Sequence, residues 1–149
     1  MKKLFDKFFE EITLFGGLIF SLFLIVIFFI TGKIDFAKEI FFGVVVIYLV
    51  TLIIRLFYFK SRPKKVRYNN FLEKIDASSF PSIHTARAVF LGLFAIIAFS
   101  LNVYVSTLIL FILILVFYSR IYLKKHDWID IIGGFLLGLM IYWAVSYLA

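Results

Sequence analysis

Long uncharged apolar runs, separated by short polar turns, set the first reading of this chain. From Ile12 to Gly32 no charge interrupts the sequence, and that length suffices for a helix to cross roughly 30 Å of hydrocarbon. A polar turn, Lys33 to Glu39, leads to a second run from Ile40 to Ile54, which must continue past Arg55 towards Phe59 to span. Residues 60–80 are polar and predict a loop or short surface helix, with Phe71, Leu72 and Ile75 able to dip into the interface. Between Arg87 and Arg120 lie 32 uncharged residues, enough for two helices joined by a turn near Ser100, Leu101 and Asn102. A further turn, Arg120 to Asp130, precedes the run from Ile131 to Ala149, in which Gly134 and Gly138 have the small-xxx-small spacing of close helix contacts. At the start, residues 1–12 place Leu4, Phe5, Phe8, Phe9 and Ile12 opposite Lys2, Lys3, Asp6, Lys7, Glu10 and Glu11, the pattern of an amphipathic interfacial helix. The pattern predicts an all-α integral membrane protein in one domain, 1–149, with about five transmembrane helices after the interfacial one.

Composition strengthens this reading. The chain is 64% hydrophobic and only 17% charged, with a mean hydropathy of +1.07, well outside the range of soluble domains. No cysteine is present, so thiolate chemistry and disulfides are excluded. The first apolar run is longer than a signal-peptide core and carries no evident cleavage site, which predicts that it is retained in the cell membrane. The net charge of +7 gathers beside the apolar runs, favouring the phosphates of lipid over nucleic acid as counterions. With five spans, fourteen of the sixteen Lys and Arg fall on one face, leaving Lys33 and Lys38 opposite, which predicts a cytoplasmic location for that face.

Topology alone does not explain why Arg55, Arg62 and Arg120 stand at helix ends beside both histidines, His84 and His126, and beside Asp130. Three motifs hold these residues. Arg55 is followed by six residues and then Arg62-Pro63. In Pro81-Ser82-Ile83-His84 the proline suits the first turn of a helix capped by Ser78 or Ser79, so that the Ser82 and Ile83 amides are free to meet an anion. In Ser119-Arg120, five residues, His126, three residues, Asp130, a helix starting near His126 puts His and Asp at i and i+4. A carboxylate can then orient the imidazole, arginine forks can hold phosphate oxygens in pairs, and the second histidine can protonate a leaving oxygen.

These motifs, in this order, resemble those of the PAP2 superfamily of phosphatidic acid phosphatase type 2 enzymes, whose pattern is KX6RP, PSGH and SRX5HX3D. The resemblance covers roughly residues 40–149, with Arg55 in place of the motif lysine and Ile83 in place of the motif glycine. Isoleucine fits a helical backbone at that position and would strain a turn of positive φ. The resemblance implies a PAP2-like helical bundle that hydrolyses a phosphomonoester or pyrophosphate from a lipid at the membrane surface. It implies His126 as the nucleophile forming a phosphohistidine, Asp130 as its orienter and His84 as general acid. Arg55, Arg62, Ser82, Ile83 and Arg120 would hold the phosphate, with no metal and no cofactor. The competing expectation is a non-catalytic membrane protein that binds lipid phosphate in the same cradle.

Overall fold

The computed structural model describes residues 2–148, so Met1 and Ala149, the outer ends of the predicted first and last helices, lie outside it. Seven α-helices are present among the described residues: α1 (Lys2–Ile12), α2 (Leu18–Ile30), α3 (Ile34–Phe57), α4 (Phe71–Ala77), α5 (Ile83–Ala98), α6 (Val103–Tyr122) and α7 (Trp128–Leu148), with a 3₁₀ turn, Thr13–Gly16, between the first two. Among the described residues no strand accompanies them, only a single bridge between Ser61 and Ser78.

The all-helical membrane architecture is as the hydropathy pattern predicts, but the spans differ in detail. By length and composition α3, α6 and α7 can each cross a membrane, and a fourth crossing follows if α1, the 3₁₀ turn and α2 are taken as one span bent by 46°. The predicted unbroken helix from Ile12 to Gly32 is therefore interrupted. Gly17 is extended and its amide bonds to the Leu14 carbonyl at 2.7 Å, while Gly16 presses against the His84 carbonyl. The second predicted span begins earlier than the charges suggested, at Ile34, because Asp35 suits the positive end of the helix and pairs with Lys38 one turn on.

The third predicted span, α5, has only 16 residues. It is the central helix, packed against α3, α6, α7 and the 3₁₀ turn, and nine of its residues from Thr85 to Phe94 are buried by protein. A helix surrounded by other helices need not match the bilayer's full thickness, which the outer ones meet. Those outer helices turn apolar side chains outward, among them Phe23, Phe29, Phe41, Leu49, Ile53, Phe111, Ile114, Ile132, Leu136 and Met140.

Close approach, more than hydrophobicity, holds such a bundle together in lipid. Gly134 and Gly138 of α7 lie directly against the backbone of α5 at Ser82 and Ala86, so the small-xxx-small pair is the α5–α7 seam. Gly43 of α3 likewise admits the Phe90 ring. Phe28, Phe36, Phe94 and Phe99 interlock at one end of the bundle, where the α2–α3 and α5–α6 turns meet. The Ser100–Asn102 turn is where it was predicted, with the Asn102 side chain capping α6.

The opposite end carries the charges. There α1 lies on the end of α6, with Phe9 buried against Tyr118 and Tyr122, and the Tyr122 hydroxyl donating to Asp6 at 2.9 Å. The 58–70 segment joins the α6–α7 turn through the Lys64 amide and the Lys124 carbonyl, 2.9 Å apart. Of the predicted interfacial cluster on α4, Phe71 and Leu72 are exposed and Ile75 is buried.

Candidate active site

At this charged end a cavity of about 490 Å³ opens between α3, α4, α5, the end of α6 and the α6–α7 turn. Arg55, Arg62, His84, Arg120, His126 and Ile83, drawn from all three sequence motifs, line it together. Arg87 and Lys125 join them, and the one carboxylate in the lining is Asp76. Five cations thus surround a space with one opposing charge, the electrostatic arrangement of an anion cradle. Lys125, in the α6–α7 turn, registers that crowding: partial burial, then Arg120 and Arg62, hold its amine below the ordinary lysine range.

Each arginine is anchored by one edge of its fork. Arg55, 8% exposed near the end of α3, donates through Nη2 to the Pro81 carbonyl at 3.2 Å and through Nε to the Phe80 carbonyl at 3.4 Å. It thereby pins the segment that enters α5. Arg62 donates to the Asp76 carbonyl at 2.6 Å, and Arg120 donates to Thr13 Oγ1 at 2.8 Å, while the Nε of each is buried without a protein partner. Buried guanidinium N–H groups left free are poised for an anion.

The entry to α5 differs from expectation. The helix begins at Ile83, with Ser82 as its N-cap, accepting from the Thr85 amide at 3.4 Å, and Pro81 lies outside it. The Ser82 amide, expected to be free for the anion, donates to the Asp130 carbonyl at 3.0 Å, and Ser82 is fully buried and does not line the cavity. Ser82 instead ties α5 to α7. Ile83 is the first helical residue and has negative φ, so its β-branched side chain is unstrained. Helical geometry leaves the first-turn amides of Ile83 and His84 without intrahelical acceptors at the rim of the cavity.

His126 and Asp130 are brought together, though not on one helix face. Asp127 and Asp130 form a reciprocal cap in which Asp127 Oδ1 accepts from the Asp130 amide and Asp130 Oδ2 from the Asp127 amide, each at 3.1 Å. This starts α7 at Trp128 and leaves His126 before the helix, where its amide bonds to the Arg120 carbonyl at 3.2 Å. His126 Nδ1 faces Asp130 Oδ2 at 3.5 Å, longer than a formed hydrogen bond. Burial, which outweighs the carboxylate and is reinforced by Arg120, holds the imidazole below its ordinary value, so the ring is neutral at pH 7.

Several residues here had no signal strong enough to be singled out. Lys60 bridges Asp127 at 2.6 Å and Asp130 at 2.8 Å, and although burial opposes its charge, these two carboxylates raise its value above the ordinary lysine range. Thr13 and Gly16 reach Arg120 and the His84 carbonyl from the N-terminal segment. Arg87 served in the sequence only as the edge of an apolar run, yet its place three residues after His84 already put both on one helix face.

The structure superimposes on that of LpxE from Aquifex aeolicus with a TM-score of 0.77 and 21% identity, covering 97% of this chain and 86% of that one. It superimposes on the first transmembrane PAP2-type phosphatidylglycerolphosphate phosphatase from Bacillus subtilis with a TM-score of 0.75 and 25% identity, covering 97% and 76%. No functionally curated protein matches the sequence. A family profile does match, over residues 36–149, which takes in every motif of the cavity wall, and by it the chain belongs to the PAP2 superfamily.

Proposed function

We propose that this protein is a lipid phosphatase that removes a terminal phosphoryl group from a lipid phosphomonoester or diphosphate through a phosphohistidine at His126. The observation that carries the reading is the convergence of Arg55, Arg62, Arg120, Lys125 and both histidines on one cavity at the charged end of an apolar bundle.

The positions support the following steps. With Nδ1 turned to Asp130, the neutral His126 ring presents Nε2 to the phosphorus. Nε2 attacks in line, the bond from phosphorus to the lipid oxygen breaks, and His84 delivers a proton to that oxygen. The arginine forks hold the non-bridging oxygens as charge spreads onto them. Asp130, fixed by Lys60 and the Asp127 amide, balances the positive ring of the phosphohistidine. Water then attacks phosphorus and gives its proton to His84, the P–N bond breaks, and inorganic phosphate leaves with His126 restored.

The charges that perform these steps are the protein's own, and among the described residues no group of three or more His, Asp or Glu is placed to hold a metal ion. Purified protein in detergent is expected to release phosphate from at least one of phosphatidate, phosphatidylglycerophosphate and polyprenyl diphosphate, unchanged by EDTA and competitively inhibited by orthovanadate. Absence of release from all three would leave the non-catalytic binder standing, and EDTA inactivation reversed by Mg²⁺ would remove metal independence.

The helical backbone at Ile83, without positive φ, supports turnover over the non-catalytic reading. Ile83 also packs against the core cluster of α3, α5 and α7. Ile83→Gly is therefore expected to lower stability by about 1–3 kcal/mol through lost packing and helix propensity while leaving kcat within about threefold. Thermal unfolding beside phosphate release checks this, and a large gain in kcat would show that the side chain obstructs the amide.

A further inference from the structure

One buried cation of the cavity has no role in the steps above. Arg87 is 2% exposed and lies on α5 one helical step inward from His84, about 4.5 Å along the axis. Its Nη1 donates to the Tyr48 hydroxyl at 2.8 Å and its guanidinium lies 5.2 Å from the centre of that ring. Among the described residues its Nε has no protein partner, and no carboxylate pairs with it. Facing the same space from α3 is Thr51, also 2% exposed, whose hydroxyl is buried and unpartnered. Tyr48 and Thr51 precede Arg55 on the cavity-lining face of α3, so this layer lies deeper in the bundle than the one formed by Arg55 and His84.

A buried guanidinium without a counter-charge is costly, the more so beside an unbonded hydroxyl, and an anion received from outside offsets both costs. The depth of the layer says which anion. A lipid enters with its tail in the hydrocarbon and its terminal phosphoryl at the cradle, so whatever occupies the next layer inward is attached on the tail side. We propose that Arg87, with Tyr48 and Thr51, forms a second anion subsite that takes a second phosphoryl group on the tail side of the scissile one. This deepens the phosphatase reading and rests on it. A directly linked diphosphate fits a single helical step, and a second phosphoryl spaced by glycerol presents the same chemistry at longer reach.

The test compares kcat/KM for polyprenyl monophosphate, polyprenyl diphosphate and phosphatidylglycerophosphate in the wild type, Arg87→Gln and Thr51→Val. Arg87→Gln is expected to lose about 10- to 100-fold more on a substrate with two phosphoryl groups than on the monophosphate, as loss of a charge-assisted bond dictates. Thr51→Val, nearly isosteric, is expected to show the same selectivity at about 3- to 10-fold. Selective loss on the diphosphate or on phosphatidylglycerophosphate supports the subsite and tells the two spacings apart, whereas equal loss on all three substrates overturns it. Should Arg87→Gln not fold, the wild type still decides: methylenediphosphonate is expected to inhibit at least about tenfold more strongly than inorganic phosphate. Equal inhibition overturns the subsite. If the wild type releases phosphate from nothing, the phosphatase reading fails separately, and the thermal shift given by methylenediphosphonate against phosphate tests the subsite by binding alone.

Discussion

His126→Ala is expected to abolish phosphate release, by about 10⁴-fold or more, as removal of the proposed covalent nucleophile requires. The protein survives the change because its neighbours are held independently of the ring. Asp130 keeps its bonds to Lys60 and to the Asp127 amide, and the α6–α7 turn keeps the backbone bonds from Lys125 and His126 to the Arg120 carbonyl. Arg55, Arg62 and Arg120 retain their anchors, so the variant still binds product, seen as a rise in unfolding temperature on adding phosphate or vanadate. Asp130→Asn acts differently. It removes the charge that balances the ring and leaves Lys60 paired with Asp127 alone, so turnover falls by less than in His126→Ala. Undiminished turnover in His126→Ala would reject the nucleophile, whatever the binding result.

Two kinds of information in the sequence account for what could be read from it. Apolar run length placed the bundle in a membrane, and the spacing of rare polar residues at the run ends picked out the cavity wall, because each motif is local and each ends a helix. What escaped depends on contacts distant in sequence. The break at Gly16–Gly17 reflects the fit of Gly16 against the His84 carbonyl, and no local pattern announces that neighbour. Thr13 reaches Arg120 across 107 positions, from a segment that lies before the matched family region. The Ser82 amide looked free because the Asp130 carbonyl that receives it belongs to another helix. By contrast the cap formed by Asp127 and Asp130 has the local spacing of a helix start, and weighing it against the His–Asp spacing would have put the start of α7 after His126.

Gly134→Ala is expected to damage the enzyme less than His126→Ala but still severely, through position alone. A methyl group there would lie 2.9 Å from Thr85 Cβ and closer still to the Ser82 carbonyl, and backbone cannot yield as the end of a side chain can. The cost of such overpacking is about 1–3 kcal/mol, or an unfolding temperature lower by roughly 2–12 °C. The functional cost is larger, because Ser82 joins α5 to α7 through the Asp130 carbonyl, and this bond sets His84, on α5, against His126, at the head of α7. Parting the helices by a few tenths of an ångström to 1 Å carries His84, the proposed general acid, away from His126, the proposed nucleophile, for which a loss of about 100-fold in kcat is expected. Gly138→Ala, one turn further from the site against Ala86 and Val89, should match the loss of stability with a smaller loss of turnover. Gly92→Ala supplies the control on the opposite face of α5, where the added methyl meets only the tips of Leu113 and Ile109 at 3.0 to 3.4 Å and both measures should change little. If Gly134→Ala and Gly92→Ala proved equally active, the α5–α7 seam would be packing without consequence for the site, and alignment of the two histidines would have to come from the Arg55 and Lys60 anchors instead.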